Sequence, residues 1–497
     1  MGVPILATVL VAGSQSANAV PPSSAFEVQI TSNPAGFSSG EPEIAINPTN
    51  PNNLFIDHAT FAVPPGGGMP PLTSPPPPHS CGGYVSMDRG VSWQPGFLPF
   101  TPQANPFAPN DPSQVVWPSQ CEDGVAAFGP DGTLYAGGDT TIGEQVASLS
   151  PPCPPNSAAT PETGGLCLKL PGDDPFARST DGGKTWTQLP YPIGSQGYGL
   201  GTAFGGSDFR ADFNFAPGSG HPVDTYDRPF LAVDQSNGTV YVSSQNILDH
   251  ERFVTASTDK GDSWGPIYAV DSTTYPQSGF GSNIAVQHGV LAVSYTAAAA
   301  PGGCAATCLI FETSRDFGAT WTRNVVPLVN AQTPPNAFLA ADPAGPGHFA
   351  LQVFDATGTV NQIYTTRDFG ATWQGPTNVT EPGGHVHFKP WLSFGPSGQL
   401  ALVWRTWEGT PNLSTTPYDV FVAVGRVERA NGAVFTSPLE LGSPAAPFGT
   451  GGGGDDFSQV QVDNNYVHVA WGDSRSGLTQ VEYARIPLTA FVGNNNS

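Results

Sequence analysis

The sequence predicts an all-β fold of seven repeated units, and three observations carry that prediction. An eight-residue phrase, Ser/Thr-x-Asp-x-Gly-x-Ser/Thr-Trp, recurs five times, at Ser86–Trp93, Ser179–Trp186, Ser257–Trp264, Ser314–Trp321 and Thr366–Trp373. A strand–turn–strand pattern recurs seven times, beginning at Glu41, Glu122, Asp227, Phe280, Pro335, Phe388 and Phe457. Finally, 60 glycines, 53 prolines and 10% aromatics, with no long amphipathic helical pattern, read as short strands joined by turns.

Each position of the phrase has a turn-building role. The Asp accepts hydrogen bonds from backbone N–H groups just downstream, and the Gly two residues later takes a positive φ without a Cβ clash. The Ser/Thr hydroxyls satisfy further backbone groups, and the Trp enters the next strand as an anchor. The pattern resembles the Asp box of sialidase-like β-propellers, and the resemblance spans the repeat units along nearly the whole chain. It implies four-stranded blades around a central channel, with the Asp residues forming turns rather than acting in catalysis.

Seven strand–turn–strand units imply seven blades. Sialidases of the family generally have six, so a six-bladed ring with one extra hairpin is the alternative. The boxes are absent from units six and seven, and the last unit ends after its third strand near Val481–Ile486. The segment Phe26–Thr31 could supply the missing outer strand and close the ring. Residues 20–497 are therefore expected to form one domain, with loop insertions at 64–78, 140–174 and 189–225. Such loops on a rigid scaffold either wall a binding site or are tolerated surface additions.

Residues 1–19 read as a signal peptide, with the apolar run Val3–Ala12 and the small-x-small ending Ala17-Asn18-Ala19, although a positive start is missing. A secreted protein is expected. Six cysteines agree with an oxidising compartment. They could pair in 15 ways; Cys304 with Cys308, Cys153 with Cys167 and Cys81 with Cys121 are favoured over a metal knuckle. With 40 acidic and 17 basic residues, the net charge of −23 opposes binding to nucleic acid and anionic membranes. No segment approaches the length of a membrane helix, and no cofactor is called for.

In a four-stranded meander, the approach to the first strand and the turn after the second share one face, opposite the boxes. That face collects Glu41, Glu43, Asp57, His58, Glu122, Asp123, Asp139, Arg228, Tyr295, Asp355, His387, Lys389, Arg405, Trp407, Asp473 and Arg475. Arg228, Lys389, Arg405 and Arg475 bring scarce positive charge there, which suits an anionic sugar; bridging of neighbouring blades through nearby Asp residues is the alternative. The resemblance to sialidases implies an arginine clamp, a Tyr/Glu nucleophile pair and an Asp acid/base. Asp57 sits where that acid/base is expected. Tyr226, Tyr295 and Tyr418 compete for the Tyr, and Glu41, Glu122 and Glu408 for the Glu. The family's N-terminal Arg-Ile-Pro motif is missing, and Arg485-Ile-Pro487 lies at the wrong end of the chain.

An exo-glycosidase acting on a terminal anionic sugar is the leading expectation, with Trp407, Asp473, His58 and His387 completing the substrate-binding set. A non-catalytic propeller binding glycans or proteins is second. Third is a polysaccharide lyase, with His387 or a Tyr abstracting the proton α to a uronate carboxylate that Arg405 or Lys389 neutralises. His58, His385 and His387 could ligate a metal, but exposed loop histidines are the commoner reading and no metal is expected.

Overall fold

A computed structural model describes residues 25–32, 37–62, 81–98, 121–141, 176–190, 226–246, 252–278, 283–411, 416–429, 432–442 and 457–491, with residues 192 and 281 and short strand pieces between 103 and 173. The expected signal peptide, the pair Cys153/Cys167 and nearly all of the three expected insertions lie outside the described residues.

Seven antiparallel blades form, each with its first strand innermost. The inner strands are Phe37–Ile46, Cys121–Phe128, Tyr226–Val233, Ile284–Gln287, Phe338–Ala341, His387–Phe394 and Ser458–Val462, of blades 1 to 7 in turn. Each packs against the next, and the strand of blade 7 packs back on that of blade 1, closing a ring. Blade 7 takes its outermost strand from Phe26–Gln29, which pairs antiparallel with Gln480–Pro487, opposing Phe26 to Arg485. The two ends of the chain thus share one sheet, and the ring has no free edge there.

The five repeated phrases are the turns between the third and fourth strands of blades 1 to 5. In the first, Oδ1 of Asp88 accepts from the Ser92 N–H at 2.8 Å, and Oδ2 accepts from the Ser92 hydroxyl at 2.6 Å. The Gly90 N–H donates to the Ser86 hydroxyl at 2.7 Å. Gly90 has φ +81°, and a Cβ there would strike the Tyr483 hydroxyl of blade 7. The closing Trp residues reach back onto the preceding blade: Trp93 packs on Tyr483, Trp186 on Phe55 and Trp373 on Phe311, with ring centroids 5.0–5.2 Å apart. A box therefore both makes a turn and staples two blades together.

Cys304 and Cys308 form a disulfide. The backbone sets Cys81 opposite Ala59 and Cys121 opposite Thr60 on one strand of blade 1; their side chains lie outside the described residues. The one α- or 3₁₀-helical element among the described strands and turns at the chain's end is Leu488–Phe491, and no helix among the described residues is long and apolar enough to cross a membrane.

Candidate functional site

Four inner strands begin with the same irregularity. Pairing with the second strand breaks register between Gly40 and Glu43, Glu122 and Val125, Asp227 and Phe230, and Phe388 and Trp391. In each bulge a non-glycine residue stands in the left-handed region: Glu41 (φ 52°), Asp123 (φ 44°), Arg228 (φ 52°) and Lys389 (φ 49°). In three of the four the residue that follows is a proline, Pro42, Pro229 or Pro390, which has no N–H to give to the ladder, so pairing lapses where it sits. In blade 2 it is Gly124, a residue that often marks a bulge. Left-handed backbone at a residue with a Cβ costs about 1–3 kcal/mol, and here it recurs four times, always beneath a charged side chain. Two acids stand on blades 1 and 2 and two bases on blades 3 and 6. The acids are tied together, with the Asp123 N–H donating to Oε2 of Glu41 at 2.8 Å.

The residue after each Pro or Gly turns toward the channel. In blades 3 and 6 it is Phe230 and Trp391, which with Phe457 of blade 7 form an aromatic plug, with ring centroids 6.0–6.3 Å apart. Above the plug, Glu41, Glu43, Asp123, Phe230, Trp391 and Phe457 border a void of about 10 Å³, room for a single water. Below it, a cavity of about 360 Å³ runs to the turns of the box face at Asp234, His288 and Pro343. The plug therefore separates the mouth on the face opposite the boxes from the cavity below it.

In blade 1 the same channel-facing position holds Glu43. It lies deep in the ring yet keeps some accessible surface, and that surface opens on the channel, since Glu43 borders both the void and the cavity. Directly across the strand pair stands Asp57, 2% exposed. Burial pushes the Glu43 carboxyl up to about 8, offset in part by hydrogen bonds from Gln459 and the Ala126 backbone. Burial raises Asp57 well above the carboxylate range too, relieved by the His58 N–H at 2.9 Å and worsened by the charge of Glu43. Glu43, raised to about 8, holds its proton at neutral pH, as a general acid must, and the burial of Asp57 opposes ionisation in the same direction.

The other expected site residues are placed as follows. Arg405 is fully buried, donating through Nε to the Ser458 hydroxyl at 2.7 Å and through Nη2 to the Phe457 carbonyl at 2.8 Å. Its guanidinium lies 5.1 Å from the centre of the Tyr418 ring. It thus joins blade 6 to blade 7. Arg475 forks onto Asp473 of its own blade, at 2.9 and 2.6 Å. Burial would raise Asp473, but that fork holds it below the usual range. Arg228 and Lys389 are half-buried at the mouth, and the Arg228 guanidinium lies 5.8 Å from the centre of the Phe457 ring.

Both tyrosines are buried. Tyr418 donates its hydroxyl to the Gly472 carbonyl at 2.5 Å, and Tyr295 donates to the Tyr275 carbonyl at 3.1 Å. Tyr295 also lies within the field of Glu312, a buried acid paired with Arg323 at 2.6 Å toward the rim of blade 4. Trp407 stacks on Phe388 at 4.1 Å. His387 is enclosed, with Nε2 2.7 Å from Glu381 and Nδ1 3.0 Å from the Asn361 amide. Burial alone would raise Glu381, but His387 and the Trp404 N–H hold it down to about 2. His58 is buried in blade 1, its Nδ1 3.2 Å from the Ala59 carbonyl. The Glu122 side chain lies outside the described residues; its backbone opposes Asp139.

Sequence reasoning placed Glu43 on the face opposite the boxes but gave it no role. The signal was present: Glu43 occupies the repeat position that holds Val125, Phe230 and Trp391 in sister blades, an acid where the others are apolar. Glu381 carried no such mark.

No family model and no curated protein sequence matches the chain. Among solved structures, a Hadza microbial sialidase is similar at 16% identity and a TM-score of 0.45, over 88% of this chain and 74% of that one. A Dyadobacter fermentans protein of unknown function is similar at 14% identity and a TM-score of 0.48, over 93% and 99%. An intramolecular trans-sialidase from Ruminococcus gnavus is similar at 13% identity and a TM-score of 0.42, over 75% and 95%. The likeness is one of fold, and this chain's own sheets make it a β-propeller of seven blades.

Proposed function

We propose that the protein is a sialidase-like exo-glycosidase that hydrolyses a terminal anionic sugar on the face opposite the Asp boxes. The observation that carries this reading is the Glu43–Asp57 carboxyl pair, flanked two blades away on either side by the cationic bulges Arg228 and Lys389. The sugar rests on the Phe230–Trp391–Phe457 plug, with its carboxylate toward Arg228 and Lys389. The pair supplies the proton for the leaving oxygen, through a water in the void beside Glu43, and Asp57 keeps the acid role the sequence gave it. Tyr295 and Tyr418 spend their hydroxyls on carbonyls, which leaves Tyr226, whose side chain lies outside the described residues, as the remaining candidate nucleophile, with Glu41 or Glu122 as the base that takes its phenolic proton. Secretion, and so access to extracellular glycans, is part of the same proposal.

The burial of Arg405 favours a second reading, a propeller that binds an anionic glycan without cleaving it. Turnover on fluorogenic glycosides, anionic and neutral, separates the two. The glycosidase reading expects release from an anionic substrate and a KM raised about tenfold or more by Arg228→Ala, with the exposed Lys184→Ala unchanged. Saturable binding with no release from any substrate would replace it with the second.

A further inference from the structure

Blade 6 carries a group of oxygen-bearing side chains that the proposed site does not use. Thr406 and Asp419 are cross-strand partners, so their side chains leave the sheet on one face. Glu408, two residues beyond Thr406, continues that face, and its N–H donates to the Pro417 carbonyl at 2.9 Å. On the other side of Tyr418–Glu428, Glu440 opposes Phe421, two residues from Asp419 and on the same face. Three carboxyls and a hydroxyl therefore share one patch, and Asp419 meets Glu408 carboxyl to carboxyl.

Two buried atoms in the patch lack a partner. Oγ1 of Thr406, a fully buried residue, has no hydrogen bond, and neither has Oδ1 of Asp419, which is 9% exposed. Burial, then Glu408 and Glu440, push Asp419 up to about 8. Burial and Glu408 raise Glu440 as well. Each of these influences disfavours the charged form, and none comes from a base.

We propose that this patch binds a hard divalent cation, calcium, through the carboxylates of Asp419, Glu408 and Glu440 and the hydroxyl of Thr406. An all-oxygen set fits a hard cation, and its irregular spacing on a sheet surface suits calcium better than the strict octahedron of magnesium. The set holds no His or Cys to favour zinc. Among the described residues no three acidic, His or Cys groups already stand at ligand spacing. The cation draws the exposed Glu408 and half-buried Glu440 onto the buried Asp419–Thr406 pair.

The test uses the full chain and terbium(III) as the probe, because Trp404 and Trp407 stand within three residues of the ligands and can sensitise its emission. Expected is saturable emission displaced by millimolar calcium, and weakened about tenfold or more in Asp419→Asn. Glu440→Gln, toward the surface, should weaken it without threatening the fold. Asp131→Asn, an acid of the box face, should leave it unchanged. Emission that calcium does not displace, or that survives both Asp419→Asn and Glu440→Gln at full affinity, would overturn the site. The proposal stands or falls apart from the glycosidase reading, since its readout involves no turnover.

Discussion

The box turns and the buried acids of blades 1 and 6 treat their carboxylates in opposite ways. On the box face, hydrogen bonds from the Thr320 hydroxyl and N–H hold Asp316 below the usual range. Slight burial pushes the equivalent Asp181 upward, but the Thr185 and Ser179 groups prevail and hold it at about 2. On the opposite face, where the Arg475 fork holds Asp473 down, burial drives Glu43, Asp57 and Asp419 upward, with Glu43 adding to the effect on Asp57 and Glu408 and Glu440 to that on Asp419. The first face spends its acids on making turns and joining blades. The second keeps acids that cost stability, together with four strained bulges, and groups retained at such a cost are where function is sought.

The largest expected effect tests the box face as a purely structural device. Gly90→Ala adds a Cβ at positive φ against Tyr483, and should lower stability by about 2–3 kcal/mol in chemical denaturation. Turnover per folded molecule should not change. A loss of turnover with stability intact would blur the division between faces.

Next comes a contrast within the opposite face. Arg405→Ala removes a buried strut between blades 6 and 7 and should cost about 2 kcal/mol, whereas Arg228→Ala should alter substrate binding with little change in the denaturation midpoint. Equal stability losses would make Arg228 a strut as well.

The smallest effect is in pH dependence. The folded pKa of Glu43, about 8, lies above its unfolded value of about 4.3. The folded state therefore binds the extra proton between those values, and stability falls as pH rises from about 4 to about 8. Asp181 has the opposite sign: its contribution is present above its unfolded value near 3.9 and is lost as pH falls toward about 2. Glu43→Gln should flatten the decline above pH 4, measured by thermal midpoints across the range. An unaltered slope would mean that Glu43 does not carry it.

Fold was legible because it repeats. Seven copies of one strand–turn–strand pattern average out local ambiguity, and Phe26–Thr31 was readable as the closing strand because blade 7 runs out of chain. Which residues share a face was legible from meander topology alone. Individual roles were not. The fate of an arginine depends on what the next blade presents, and the acceptors of Arg405, Ser458 and the Phe457 carbonyl, lie more than fifty residues away. Tyr418 and Tyr295 looked like available hydroxyls until distant carbonyls were brought to them. The meeting of Asp419 with Glu408 depends on strand register, which a sequence pattern fixes only to its face.

The most direct test of where the chemistry lies is turnover of an anionic fluorogenic glycoside by Glu43→Gln beside Asp316→Ala, each corrected for its folded fraction. Glu43→Gln is expected to lose about a hundredfold or more in kcat while Asp316→Ala keeps its rate. Full activity in Glu43→Gln, or an equal loss in Asp316→Ala, would contradict a proton-donating centre on the face opposite the boxes.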